Sequence, residues 1–239
     1  MTALNWKLAT NQVVILCDSL MLSADDHRPL SMVTKVYSLP HIGLCIAGTG
    51  VQPLAEKLWA RANSHCVARD ICQLNEIAPS ILQSIWGELL QEPSFADLCE
   101  SGLTGTVYLY GWSEDAATFV GYAYRSPSGF ASEPLKYGIA IKPAPNSGKI
   151  PLIDGLDDLL GVLREQKRED RERPRRERVG IGGDVILTLM TRDEAAFTII
   201  EQRAIFRFED FENDWSIILA KLPNNAGSNA SIIAISNDP

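Results

Sequence analysis

The chain lacks most of the short motifs that announce a chemistry. Its five cysteines include no Cys-x-x-Cys pair, and its three histidines, His27, His41 and His65, are scattered without ligand spacing. That argues against a metal site. The odd cysteine count points to reduced thiols and a cytoplasmic setting. No Gly-x-Ser-x-Gly elbow supports a Ser-His-Asp triad, and Gly48 and Gly50 lack the Gly-Lys-Ser/Thr signature of a phosphate loop. Positive charge is in the minority, with 22 Lys and Arg against 30 Asp and Glu for a net charge of −8. A nucleic-acid partner would want a basic face, so none is expected. No N-terminal signal is read, and no apolar run approaches the ~18 residues of a membrane span.

What is there is an ordinary globular composition, 46% hydrophobic and 22% charged. Residues 3–9 alternate loosely and residues 13–17 form a continuous apolar run, which together predict an opening hairpin. A polar loop is expected over residues 23–29, then a second hairpin, 33–39 with 42–47. Thr49 is a candidate N-cap for a helix around Leu54, Leu58 and Ala62. A second helix is expected over 68–90, with Ile71, Leu74, Ile77, Ile81, Ile85 and Leu89 on one stripe and Pro79 kinking or dividing it.

A loop over 93–102, a hairpin of 104–110 with 117–124, and a short strand near 137–141 follow. The helix beginning at Asp154 runs on into the charged stretch 164–178, read as a solvated extension limited by Pro174. A last hairpin, 184–191 with 196–202, precedes a tail with apolar stretches at 217–222 and 232–235. No repeat or linker interrupts the pattern. The expectation is one α+β domain over 1–239, with two antiparallel sheets between helical layers.

The chemistry-bearing residues gather near the start. An apolar strand ends on Asp18-Ser19, Lys35 lies downstream, Ala47-Gly48-Thr49-Gly50 follows the next strand, and Thr2 stands beside the initiator methionine. A threonine at a chain terminus can act as nucleophile with its own amine as base, provided a lysine and an aspartate lie beside it. Cys17, next to Asp18, is read as a core thiol.

These residues resemble the proteasome-type branch of the N-terminal-nucleophile hydrolases, and within it the bacterial HslV-like and Anbu-like subunits. The similarity covers residues 2–202 and is most specific over the first sixty. The family pattern is a mature N-terminal threonine, a Val-Val-Leu-Ala-Ala-Asp-Ser-like strand, a Lys-Ile/Val in the next hairpin and an Ala-Gly turn. It reads here as Thr2, Val13–Ser19, Lys35-Val36 and Ala47-Gly48, with Lys35 one place late. A one-residue loop change of that kind is cheap.

The resemblance implies a four-layer αββα sandwich and a threonine peptidase or amidohydrolase. Methionine aminopeptidase would expose Thr2, whose amine, with a reference pKa of ~7.7–8.0, would accept the hydroxyl proton. Lys35, paired with Asp18, would favour the neutral amine by like-charge repulsion. The Gly48 N–H would stabilise the oxyanion. A peptide or amide substrate, a ring or spiral of identical subunits, and no cofactor are implied; whether an ATPase feeds the assembly is left open.

One departure stands out. Family members carry Asp-x-x-Ser-Gly before the penultimate hairpin and a supporting serine after the middle strands. Residues 177–183, Glu-Arg-Val-Gly-Ile-Gly-Gly, keep the glycines alone, and Ser126, Ser128 and Ser132 are the candidates for the serine. A catalytically inactive subunit with a structural or binding role is therefore the alternative.

Overall fold

In the computed structural model, residues 2–23, 26–65, 68–100, 102–146, 152–174 and 177–221 are described. The two runs that open the chain form a hairpin, β1 (Leu4–Leu8) and β2 (Gln12–Asp18), in which Leu4 pairs with Cys17 and Leu8 with Val13. Two short strands not expected from the sequence, β3 (Leu20–Leu22) and β4 (Pro29–Met32), flank the expected loop and pair across it, β4 taking its last residue, Pro29. Pro29 is tolerated because it is the first residue of an edge strand, where no ladder donor is required.

Next come β5 (Val36–Leu39) and β6 (Leu44–Thr49), then the helices α1 (Gln52–His65), α2 (Ile71–Leu89) and α3 (Pro93–Glu100). The strands β7 (Thr106–Ser113), β8 (Thr118–Arg125), β9 (Ser132–Pro134) and β10 (Gly138–Lys142) lead into α4 (Leu156–Glu172). A closing hairpin, β11 (Asp184–Arg192) and β12 (Thr198–Arg207), precedes α5 (Phe211–Lys221).

Several local expectations are corrected. Thr49 is no cap: it ends β6, paired with Thr106. The cap that does form is Asp70, whose carboxylate accepts the Gln73 N–H at 3.1 Å. Pro79 does not divide α2, because burial on both sides of it overrides local propensity. The buried line is Ile71, Leu74, Ala78, Leu82, Ile85 and Leu89, a 3-4-4-3-4 spacing. Ile77 is 37% exposed and Ile81 half-buried, so the buried line departs from the expected stripe at those two positions, where Ala78 and Leu82 face the core instead. Residues 93–100 are helical, starting at a proline, which suits a first-turn position. The apolar stretch 217–221 is the last turns of α5, whereas 232–235 lies outside the described residues.

All pairings are antiparallel. One five-stranded sheet has the order β10-β1-β2-β11-β12, the other β5-β6-β7-β8-β9. Three cores follow from the alternation of side chains. Trp6, Ile15, Tyr108, Tyr110 and Phe119 fill the space shared by the two sheets. Leu44, Ile46 and Leu109 meet Leu58, Leu74 and Leu82 of α1 and α2. Leu16, Val185 and Leu187 meet Leu159 and Leu163 of α4.

The charged run after Leu163 is the largest surprise. It is helical only to Glu172, and Gln166, Lys167, Glu169 and Asp170 are buried. Arg168 does behave as a solvated residue, paired with Glu165 at 2.5 Å and Glu172 at 2.6 Å. Its neighbours turn inward, however. Gln166 exchanges hydrogen bonds with Asn5 of β1 at 2.7 and 3.3 Å, and donates to the Pro143 carbonyl at 2.7 Å. A helix with one charged face and one buried polar face is indistinguishable, by composition, from one solvated all round.

Candidate active site

β2 delivers Asp18 at its C-terminal end, and the strand's neighbours close over it until the residue is fully buried. A carboxylate in that position is stable only if its oxygens are satisfied. Oδ1 accepts the Ala3 N–H at 3.0 Å and the Lys35 ammonium at 2.9 Å; Oδ2 accepts the Gly182 N–H at 3.2 Å. Lys35, itself 5% exposed, also donates to the Leu20 carbonyl at 2.6 Å. The cation and the anion are thus both dry and both hydrogen-bonded, the condition under which a buried pair persists.

Thr2 is 8% exposed and immediately precedes the bonded residue Ala3, whose carbonyl in turn accepts the Asp18 N–H at 3.4 Å. The chain start is therefore tied to the Asp18 end of β2. Gly48 belongs to the other sheet. The β5–β6 register ends at Val36 opposite Ala47; Lys35 is the residue before β5 and Gly48 the next residue of β6. A Cβ on Gly48 would lie 2.8 Å from that of Ala55, so α1 packs where a side chain would be. Asp18 and Lys35 are in direct contact, Thr2 adjoins them through Ala3, and Gly48 approaches along the strand pair.

Ser19 sits beside this centre as a splice. Its hydroxyl accepts the Asp184 N–H at 2.8 Å, its carbonyl accepts the Val33 N–H at 2.8 Å, and its N–H donates to Gly182 O at 3.2 Å. Cys17 is an inert thiol: burial and the Asp18 charge, against the opposing Lys35, push its pKa up to about 12. A cleft of about 400 Å3 opens alongside, walled by residues 32–36, Ser19, Asp184 and Gln202; Thr2 and Gly48 are not among its walls. The candidate serines are committed elsewhere. Ser126 accepts the Gly105 N–H, Ser128 donates to Arg125 O, and Ser132 donates to Asn75 Oδ1. Among the described residues no three His, Cys, Asp or Glu side chains cluster as metal ligands.

A second set of charges lies behind the 179–183 segment. Lys167 donates to the Ile181 carbonyl at 2.5 Å and to Asp210 at 2.7 Å, and Arg171 reaches Asp210 at 3.0 Å. Burial would raise the Asp210 carboxyl, but these two cations hold it below its usual range. At Asp214 the same two cations act more weakly and are outweighed. Burial, then the Asp210 charge, push its carboxyl upward, and its Oδ2 is buried without a partner.

Asp214 binds its proton more tightly folded than unfolded, so its ionisation costs stability as pH rises above the ordinary carboxyl value and through the raised one. Asp214→Asn is expected to gain about 1 kcal/mol at neutral pH. Urea titrations at pH 7 and at pH 4 check this, with the advantage shrinking at the lower pH. An advantage equal at both would reject the assignment.

No family model matches the sequence, and no curated protein matches it. Among solved structures the chain is similar to the helical assembly of the Anbu complex from Pseudomonas aeruginosa. That likeness has a TM-score of 0.57 at 12% identity, over 97% of this chain and 99% of the other. A likeness at that identity is one of fold.

Proposed function

We propose that the chain is a proteasome-like subunit: a single-domain, four-layer αββα sandwich over 1–239 that hydrolyses peptide or amide bonds with Thr2 as nucleophile. The observation that carries this reading is the buried Asp18–Lys35 pair, whose carboxylate also holds the Ala3 N–H directly after the threonine. The three cores, each filled from facing elements, support the layer order.

In this mechanism Met1 is removed and the freed amine takes the Thr2 hydroxyl proton as Oγ attacks the substrate carbonyl carbon. The Lys35 ammonium next to that amine favours its neutral, proton-accepting form. The negative charge that develops on the carbonyl oxygen is met by the Gly48 N–H. Collapse of the tetrahedral adduct expels the substrate amine, which takes the proton back. Water then attacks the ester with the Thr2 amine again as base. No metal or cofactor enters these steps.

Assembly of copies into a ring or spiral accompanies the reading. The similar solved structure is a helical assembly, and the exposed Phe197, Ile199, Trp215 and Leu219 supply apolar surface for it. A second reading, an inactive subunit with a structural role, is favoured by the 179–183 segment, which offers neither hydroxyl nor acid.

Intact mass separates the two. Loss of Met1, with covalent capture of Thr2 by a peptide epoxyketone and none in Thr2→Ala, is the expected result. Retained methionine on the purified chain would reject the hydrolase.

A further inference from the structure

Residues 179–183, Val-Gly-Ile-Gly-Gly, have no polar side chain, yet their backbone touches the Asp18–Lys35 centre. Gly182 N–H is the donor to Asp18 Oδ2, and Gly182 O accepts the N–H groups of Ser19 and Leu20 at 3.2 and 3.1 Å. Two residues of the segment are held in the left-handed region, Gly180 at φ +80° and Gly183 at φ +75°. Glycine-rich backbone of this kind loses the most conformational freedom on ordering. Something outside the segment must therefore fix it.

That group is Asp170. Its Oδ1 accepts the Val179 N–H at 2.7 Å, and its Oδ2 accepts Gly180 N–H at 2.9 Å and Ile181 N–H at 3.3 Å. Three successive backbone donors thus converge on one carboxylate that is 4% exposed. The residue lies in the last turn of α4, where a negative charge works against the helix dipole, so the helix itself gains nothing from it. The helix is anchored independently by Leu159 and Leu163 in the core and by Gln166 on Asn5.

We propose that Asp170 is a positioning residue, which acts from α4 through the 179–182 backbone to aim Gly182 N–H at Asp18 and so to set the Asp18–Lys35 pair. Its catalytic consequence rests on the reading of Thr2 as nucleophile. The segment itself carries no acid; an acid on the preceding helix, about ten residues upstream, holds its backbone instead. The other charges around this backbone are Lys167 on Ile181 O, with Asp210, Arg171 and Asp214 behind it.

The test uses the full-length protein. In Asp170→Asn one face of the side chain presents N–H to backbone N–H. Thr2 capture by a peptide epoxyketone is expected to slow by at least about tenfold, the scale on which small misplacements of a reacting centre act. The pH midpoint of capture is expected to move as well, which loss of global stability alone would not cause. The Lys35 ε-carbon NMR resonance is read in the same two proteins at one pH and is expected to move, because the Asp18 carboxylate beside it is re-aimed.

An Asp170→Asn protein that folds, captures at the wild-type rate and midpoint, and leaves the Lys35 resonance in place would overturn the proposal. Should that variant not fold, Asp170→Glu retains the charge, displaces the oxygens by one methylene and carries the same comparison. A wild-type protein that is never captured fails the hydrolase reading alone. The Lys35 resonance, which needs no turnover, then decides for or against Asp170.

Discussion

Lys35→Met is expected to abolish capture of Thr2 and to lower stability by about 3–5 kcal/mol, because it leaves the Asp18 carboxylate buried without its cation. The two effects have different origins and can be separated. In the double variant Asp18→Asn, Lys35→Met neither charge of this pair remains. The introduced amide oxygen can still accept one of the two backbone donors, Ala3 N–H or Gly182 N–H, while its NH2 faces the other, so part of the lost stability should return. Capture should not return, since the ammonium that the proposed mechanism needs is gone. Chemical denaturation and epoxyketone labelling of the wild type, Lys35→Met, Asp18→Asn and the double variant complete the cycle. Activity that recovers together with stability would show that Lys35 serves the fold only.

The second large effect is expected at Gly50, just beyond Gly48. Its φ is +82°, and an added Cβ would fall 2.0 Å from the Thr104 carbonyl oxygen, a backbone atom that cannot swing aside. The left-handed conformation alone costs an L-residue about 1–2 kcal/mol, and relieving the overlap moves the β6–α1 turn against β7. Gly50→Ala should lose about 3 kcal/mol or more and displace Gly48 with it, lowering capture of Thr2 even in the folded fraction. Gly87 is the control. It is exposed in α2 with nothing within 4 Å of its would-be Cβ, so Gly87→Ala should gain up to about 1 kcal/mol. Thermal melts of both variants check the pair of signs.

Much of this arrangement was legible in the sequence, and for identifiable reasons. β1, β2, β5 to β8, β11 and β12 announce themselves by period-two alternation or short apolar runs closed by turn residues. Asp18 and Lys35 were singled out by the resemblance to the proteasome-type pattern; the strands at whose ends they stand lie in different sheets, so no local pairing rule foretells that the two side chains meet. The small strands β4 and β9 were not legible, because three or four residues give too little periodicity to separate from loop. The stripe of α2 was misdrawn by preferring Ile77 and Ile81 to Ala78 and Leu82, although a small alanine is what close helix–sheet packing admits. Asp170 was hidden most thoroughly. In a run such as Arg-Glu-Asp-Arg-Glu, charge alone does not say which member turns inward; that depends on three amides nine to eleven residues further along the chain.

The bonds at the chain start have one further consequence. The group fastened to Asp18 is the amide of residue 3, not of residue 2. On the proposed reading, trimming the initiator would leave those fastenings untouched and ask for no refolding. The ion pair, its backbone supports and the anchored strand are complete in the uncut chain, so a single proteolytic cut would be all that the proposed chemistry needs.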